Sequence, residues 1–512
     1  MVIIAVQRAL KMDSRYLLVL GLGLLLRWAV SLHPHSGQRK PPMFGDYEAQ
    51  RHWMEVTHNL PLADWYRNTT DNDLLYWGLD YPPLTAYHSY LCGAVAARVD
   101  PSFVALHASR GLETPEHRLF MRATVLVADL LVFLPAALWF AVALRRSRAV
   151  TLTVLAVLVL YPGLLLIDHG HFQYNGVSLG LMVAAAAALL GRRDATGAAL
   201  FSLALNYKQM ELYHALPFFC YLLGTCLRQR TWAASVGKLA KIGAATVLTF
   251  GLVWLPFLVD AQRAVEVGAR LFPFNRGLFE DKVANFWCSL SVVYKVKQLH
   301  SVAAIASMCL STTALFLLPT NLLLLADPTP HNLLLSLLNS ALTFFLFSFQ
   351  VHEKSILLAA LPAAMLFPDY PLSSLWFLLA STLSMLPLLL KDDLLLATVA
   401  TTVFFTVAVN MATGVLDAGR RAAAPKQRSR LTTTSGGPPA DPCSRWAVPA
   451  LYLSLTGYAV LALTSVTVSP PERYPDLWPV LVSLYSFAHF AGFFLYYHLI
   501  QFQFFDEKFK VC

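Results

Sequence analysis

Two aspartates stand out in a chain that is otherwise largely apolar. Asp46 closes Pro41-Pro42-Met43-Phe44-Gly45-Asp46, just after the first apolar run, and Asp80 lies in the aromatic turn Trp77-Gly78-Leu79-Asp80-Tyr81-Pro82-Pro83. A carboxylate can take a proton from a hydroxyl as that oxygen attacks an electrophilic carbon. One such base is enough for glycosyl transfer when the donor already carries a phosphate leaving group, whereas glycoside hydrolysis usually needs an acid as well. The competing reading of Asp46 is local: it caps a helix starting near Tyr47. For Asp80 the choice lies between bonding its own turn and orienting a sugar. Trp53, Trp65 and Trp77 offer flat faces to sugars, but tryptophan also anchors loops at a bilayer interface, the reading preferred for Trp65.

A phosphate leaving group at a membrane face needs cations to meet it. Candidates are His352 and Lys354 in Phe349-Gln350-Val351-His352-Glu353-Lys354, Arg276 within the polar run 270–282, and Lys208 in Asn206-Tyr207-Lys208-Gln209. His352 and Arg276 are preferred, because each sits in a polar run abutting an aromatic span. For Lys354 and Lys208, snorkelling to the interface is an equal alternative. Asp168-His169-Gly170-His171 brings two imidazoles close in sequence, but a metal would need three or four convergent ligands. A hydrogen-bonded polar cap is the preferred reading there, with His169 kept as a substrate-contacting candidate. The first polar loop has no D-x-D pair, so neither a divalent ion nor any other cofactor is expected.

The elements that must position these residues are membrane spans. Of 512 residues, 57% are hydrophobic and 13% charged, against about 25% charged in a soluble domain. Apolar runs recur from residue 15 to residue 501, giving about fourteen spans, several of them shorter than a full crossing and so tilted or merged with a neighbour. The net charge of +9 comes from clusters between runs, such as Arg145, Arg146 and Arg148, or Arg228, Arg230, Lys238 and Lys241. That is the positive-inside bias of cytosolic loops, not a nucleic-acid footprint. Seven scattered cysteines without a C-x-x-C pair indicate neither a disulfide framework nor a zinc site. The first apolar run has a poor cleavage site and is interrupted by Arg27, so it is read as a retained span rather than a signal peptide.

This threading sets a catalytic membrane region over 1–414, a flexible basic cytosolic linker over 415–446, and a last pair of spans with a cytosolic tail over 447–512. Both termini fall in the cytosol. The polar motifs all fall on the other side: loop 34–119, residues 168–175, 206–209, loop 260–299 and 352–354. A carrier would need such groups near the midplane. Clustering at one face instead suits an enzyme working at the lipid–water boundary. Loop 34–119 is too long to be a passive connection. Helices are expected over Glu48 to Asn59 and Leu84 to Val99, and Asn68-Thr69-Thr70 is a glycosylation sequon.

Segments 41–92, 167–176, 207–210, 270–288 and 347–354 together resemble the dolichyl-phosphate-glucose-dependent alpha-1,3-glucosyltransferases of N-glycan precursor assembly. The resemblance covers most of the chain except 415–446. It implies an all-α GT-C fold in the endoplasmic reticulum membrane with its site facing the lumen, dolichyl-phosphate-glucose as donor, and inversion at the anomeric carbon. It also implies Asp46 as base, Asp80 as positioning residue, and His352 and Arg276 toward the phosphate. Lys208, His169 and Trp77 complete the substrate-binding set. Residues 277–288 and 45–53 look like the member that adds the first glucose, to a dolichyl-pyrophosphate-linked nine-mannose oligosaccharide. The member adding the second glucose is the alternative. A lipid or sugar carrier is a third reading, with Arg27 and Asp129 as its intramembrane charges.

Overall fold

A computed structural model gives the fold and describes residues 14–272, 282–416 and 444–511. Those residues form helices and connecting turns, in the order α1 (Ser14–Ser31), α2 (Gly45–Asn59), α3 (Pro83–Val99), α4 (Pro115–Ala143), α5 (Arg148–Phe172), α6 (Asn175–Leu190), α7 (Asp194–Tyr207), α8 (Leu212–Leu227), α9 (Trp232–Leu258), α10 (Ala261–Leu271), α11 (Phe286–Val293), α12 (Val302–Ala326), α13 (Pro330–Phe347), α14 (Ile356–Met365), α15 (Pro371–Ser384), α16 (Leu395–Thr413), α17 (Ser444–Thr467) and α18 (Leu477–Val511). Their starts are written in the sequence. Thr114, Ser147, Thr231, Ser301 and Thr329 each accept a backbone N–H from the first turn of the helix they precede, satisfying donors that have no partner inside the helix.

Nine helices among the described residues are long and apolar enough to cross a membrane: α1, α4, α5, α9, α12, α13, α16, α17 and α18. The molecule is a polytopic membrane protein. Five further apolar helices, α6, α7, α8, α14 and α15, run only 10 to 16 residues, short of the about 20 needed to cross untilted. Polar breaks cut them off: Gln173-Tyr174 before α6, Arg192-Arg193 before α7, and Lys208 before α8. The helices divide into an interior and a perimeter. In α5 and α13, 78% of the apolar window is buried, against 11% in α9 and 22% in α12. Val247, Leu248, Leu252 and Leu255 of α9 are accordingly large apolar side chains left exposed on the perimeter.

Arg27 explains why a charge is tolerated inside α1. Its Nε donates to Asp129 Oδ2 of α4 at 2.6 Å, and its Nη1 donates to the carbonyls of Gly23 and Val159. A buried guanidinium survives in an apolar interior only when paired and hydrogen-bonded in this way. The two intramembrane charges that a carrier would line up along a path are thus spent on each other. Two π turns, Asp129–Phe133 in α4 and Leu166–Phe172 ending α5, each add a residue to the helical turn and re-aim the chain beyond it. The second carries His169 and His171.

Both helices expected in the polar loop are present, as α2 and α3. They pack on a fully buried ion network. Arg51 grips Glu48 with two bonds, at 2.8 and 2.6 Å, and reaches Glu55 at 2.6 Å and Ser109 Oγ at 2.5 Å. Trp65 is buried with Tyr66, Tyr87 and Phe257, so it packs the loop onto the end of α9 instead of sitting free in an interface. Most of the linker 415–446, residues 417–443, lies outside the described residues.

Candidate active site

Asp46 is placed by a glycine turn. Gly37 and Gly45 have φ of +67° and +69°, and a Cβ on Gly45 would stand 2.6 Å from Ser36 Oγ. Only glycine adopts that backbone at little cost and leaves room for the close approach. The turn closes when the Asp46 N–H donates to Ser36 Oγ at 3.2 Å. Asp46 is then the second residue of α2, whose N-cap is Phe44 with no side-chain cap.

The carboxylate faces away from its own helix. Its Oδ2 accepts from Lys354 Nζ at 2.6 Å and Gln173 Nε2 at 2.5 Å, and lies 3.0 Å from His171 Nε2. The far nitrogen of His171, Nδ1, is 2.5 Å from Asp392 Oδ2. Lys354 Nζ also comes within 3.1 Å of His171 Nε2. A chain of polar contacts therefore runs Lys354–Asp46–His171–Asp392. It joins the glycine turn, the π turn of α5, the segment after α13 and the corner before α16. Lys40 helps to seal that corner by donating to the Lys391 carbonyl at 2.8 Å.

Burial alone would raise the Asp46 carboxyl, but Lys354 and then His171 bring it well below the usual carboxylate range. Asp46 is therefore ionised at neutral pH. Its side chain keeps 24% exposure, enough for an incoming hydroxyl to reach it.

The exposed side of Asp46 opens into a cavity of about 690 Å³. Asp46, Trp77, Asp80, Lys208 and His352 all line it. His169 does not: its Nε2 lies 3.0 Å from Asp129 Oδ2, beside Arg27, in the buried interior. The rings of His169 and His171 thus turn to different carboxylates, and among the described residues no group of three or more His, Cys, Asp or Glu is disposed to hold a metal ion. Arg276 lies outside the described residues. The turn 77–81 that bears Asp80 is held from several sides. Trp77 donates to the Met43 carbonyl at 2.6 Å, Trp53 donates to the Trp77 carbonyl at 2.8 Å, and Gln209 donates to the Asp80 carbonyl at 3.0 Å. Arg270 adds two bonds, to the carbonyls of Gly78 and Leu79.

A family description covering residues 23–496 matches this chain. The chain belongs to the ALG6, ALG8 glycosyltransferase family. Relatives agree over nearly the whole length. A protein of Gallus gallus named dolichyl pyrophosphate Man9GlcNAc2 alpha-1,3-glucosyltransferase is 49% identical, over 94% of this chain and 95% of that protein. Its namesake in Mus musculus is 47% identical over the same shares. A Drosophila melanogaster protein with the same name, qualified as probable, is 46% identical over 96% of this chain and 99% of its own.

In this glycosyltransferase the cavity lining mixes basic and aromatic side chains. Lys208 Nζ donates to Asn175 Oδ1 at 2.5 Å and stands 5.1 Å from the centre of the Tyr81 ring. Burial, then the neighbouring Lys354, lowers its ammonium to about 8, so an arriving anion would stabilise the charged form. Asn175 is itself fixed by donating to Asp168 Oδ1 at 2.7 Å and to Gln173 Oε1 at 3.0 Å. Arg270 and His352 share the wall. The residues that sequence reading passes over are Gln173, Asn175, Arg270 and Asp392. For Asp392 a signal exists, the charged Lys391-Asp392-Asp393 interrupting two apolar runs. For Gln173 and Asn175 the signal is their place in the polar stretch after the His-x-His pair.

Proposed function

We propose that this protein transfers glucose from dolichyl-phosphate-glucose, in alpha-1,3 linkage and with inversion, to the dolichyl-pyrophosphate-linked Man9GlcNAc2 oligosaccharide. Transfer takes place at the luminal face of the endoplasmic reticulum membrane. The observation that carries this reading is the ionised Asp46 carboxylate, opening onto a cavity lined also by basic side chains, Lys208, Arg270 and His352 among them, and by the aromatic rings of Trp53, Trp77 and Tyr81. The names of the relatives supply the acceptor and linkage, and the family supplies the reaction class.

The chemistry balances with these groups alone. A mannose hydroxyl oxygen forms a bond to the anomeric carbon while the bond from that carbon to the phosphate oxygen breaks. The hydroxyl proton passes to Asp46, and the bonding electron pair leaves on the phosphate of the dolichyl phosphate product. Lys208, Arg270 and His352 face the growing negative charge, the transition-state feature whose stabilisation contributes most to rate. Trp77 and Asp80 present the sugar, and Arg276 keeps its proposed role toward the phosphate, whereas His169, bonded to Asp129 away from the cavity, is dropped from the substrate-binding set. The short helices α6, α7, α8, α14 and α15, tilted or paired, bring the nine long ones to the fourteen of a GT-C arrangement. Loop 34–119 then lies in the lumen and the linker 415–446 in the cytosol.

The test is purified protein with dolichyl-phosphate-glucose and two synthetic acceptors, the nine-mannose oligosaccharide with no glucose and the same oligosaccharide already carrying one. Glucose addition to the first alone is expected. Transfer only to the glucosylated acceptor would reassign the chain to the second glucose, and transfer to neither would remove the reading.

A further inference from the structure

Lys354 occupies a position that the transfer chemistry does not explain: its ammonium sits on the base, not on the phosphate wall. We propose that Lys354 exchanges partners during the cycle, holding the Asp46 carboxylate until the donor binds and then moving to the donor's phosphate, so that the base is released only in a loaded site. This rests on Asp46 being the base.

The geometry permits the exchange. Lys354 and Asp46 line one cavity, and the Lys354 side chain keeps 17% exposure toward it. Lysine is a compact charge with rotatable donors on a flexible stem, so it can swing without moving the backbone. Asp46 does not lose its orientation when Lys354 leaves. Gln173 still donates to the same oxygen, and His171, anchored behind by Asp392, still flanks it. The charged or titratable groups in contact with the carboxylate are Lys354 and His171, with Asp392 behind the latter. Lys40, Lys208, Arg270, His352, Glu353 and Lys391 line the same cavity. A phosphate that gains charge as its sugar departs attracts the ammonium most strongly in the transition state, where binding accelerates the reaction.

Basicity is the reason for exchange. Burial raises the Asp46 carboxyl, and Lys354 is the foremost group pulling it down. A carboxyl so lowered is a poor proton acceptor. Once the ammonium moves away, burial pushes the carboxyl back up at the moment a proton must be accepted.

Donor affinity, rather than turnover, tests the exchange, so it can fail while Asp46 remains the base. Binding of dolichyl-phosphate-glucose is measured for the wild-type protein in nanodiscs, for Asp46→Asn, for Lys354→Met and for the double variant. Freeing Lys354 from its partner is expected to tighten the donor about fivefold or more in Asp46→Asn, with that gain largely absent when Lys354 is Met. Simple repulsion between Asp46 and phosphate would give an equal or larger gain in the Lys354→Met background, and that result overturns the proposal. A wild-type measurement covers the case of a variant that fails to fold. The acid limb of kcat, set in the donor complex, is expected at higher pH than the acid limb of kcat/KM for donor, set in the free enzyme. Coincident limbs would equally overturn it.

Discussion

Asp46 suits the proposed role of base because its neighbours fix one oxygen and leave the carboxylate facing an open cavity. Gln173, Lys354 and His171 all converge on Oδ2, and Asp392 holds His171 from behind at 2.5 Å. Asp392 reaches Asp46 only through His171, so the role proposed for it is positional. Replacing it by Asn keeps the size but loses the charge that orients the imidazole. Asp392→Asn is expected to lower kcat by about 10²-fold, the scale of a misplacement near 1 Å, while donor affinity changes little. A loss confined to KM would instead mark Asp392 as a binding residue. Below the active carboxylate, Arg51 offers a separate case. Its removal leaves Glu48 and Glu55 buried without a countercharge, which costs about 3–5 kcal/mol for a buried pair broken on one side. Arg51→Met should therefore lower the melting temperature clearly, and a Tm unchanged from wild type would show that the network carries little of the loop's stability.

At the scale of elements, the site is assembled from segment ends. The glycine turn before α2, the π turn ending α5, the break before α8, the segment after α13 and the corner before α16 each deliver one or two side chains. Gly45→Ala tests the first of these. An alanine there meets Ser36 Oγ at 2.6 Å with φ at +69°, so Asp46 must shift. Turnover should fall about tenfold or more, and normal turnover would show that the turn can yield without moving the base.

Much of this is legible in the sequence. The patterns of residues 48–59 and 84–99 marked both loop helices, and the odd polarity of residues 168–175, 206–209 and 352–354 marked pieces that meet in one cavity. Two kinds of feature were hidden. A π turn leaves no mark in hydrophobic periodicity, so the opposite facing of His169 and His171, two residues apart, could not be seen. Long-range pairing is also silent in a single sequence. Nothing local says that Arg27 belongs to Asp129, or that Lys354, 308 positions from Asp46, prefers its carboxylate to the interface.

For the whole molecule, the arrangement of charge is the basis of the proposed luminal orientation. Basic clusters lie in the connections between apolar helices, while the acid and aromatic loop covers the cavity. This orientation is open to a direct test. A protease site inserted beside Asn68, which is exposed at the loop tip, should resist added protease in sealed microsomes and be cut after detergent is added. Cleavage in intact vesicles would put the loop, and the cavity with it, in the cytosol.

The decisive measurement is single-turnover glucose transfer by Asp46→Asn at saturating donor, with a wild-type melting temperature and retained donor binding verified in the same preparation. With the base removed and the cavity intact, transfer should slow by about 10²- to 10⁴-fold, the range of a general base. Transfer at the wild-type rate would mean that the proton leaves by another route and that Asp46 does not carry the reaction.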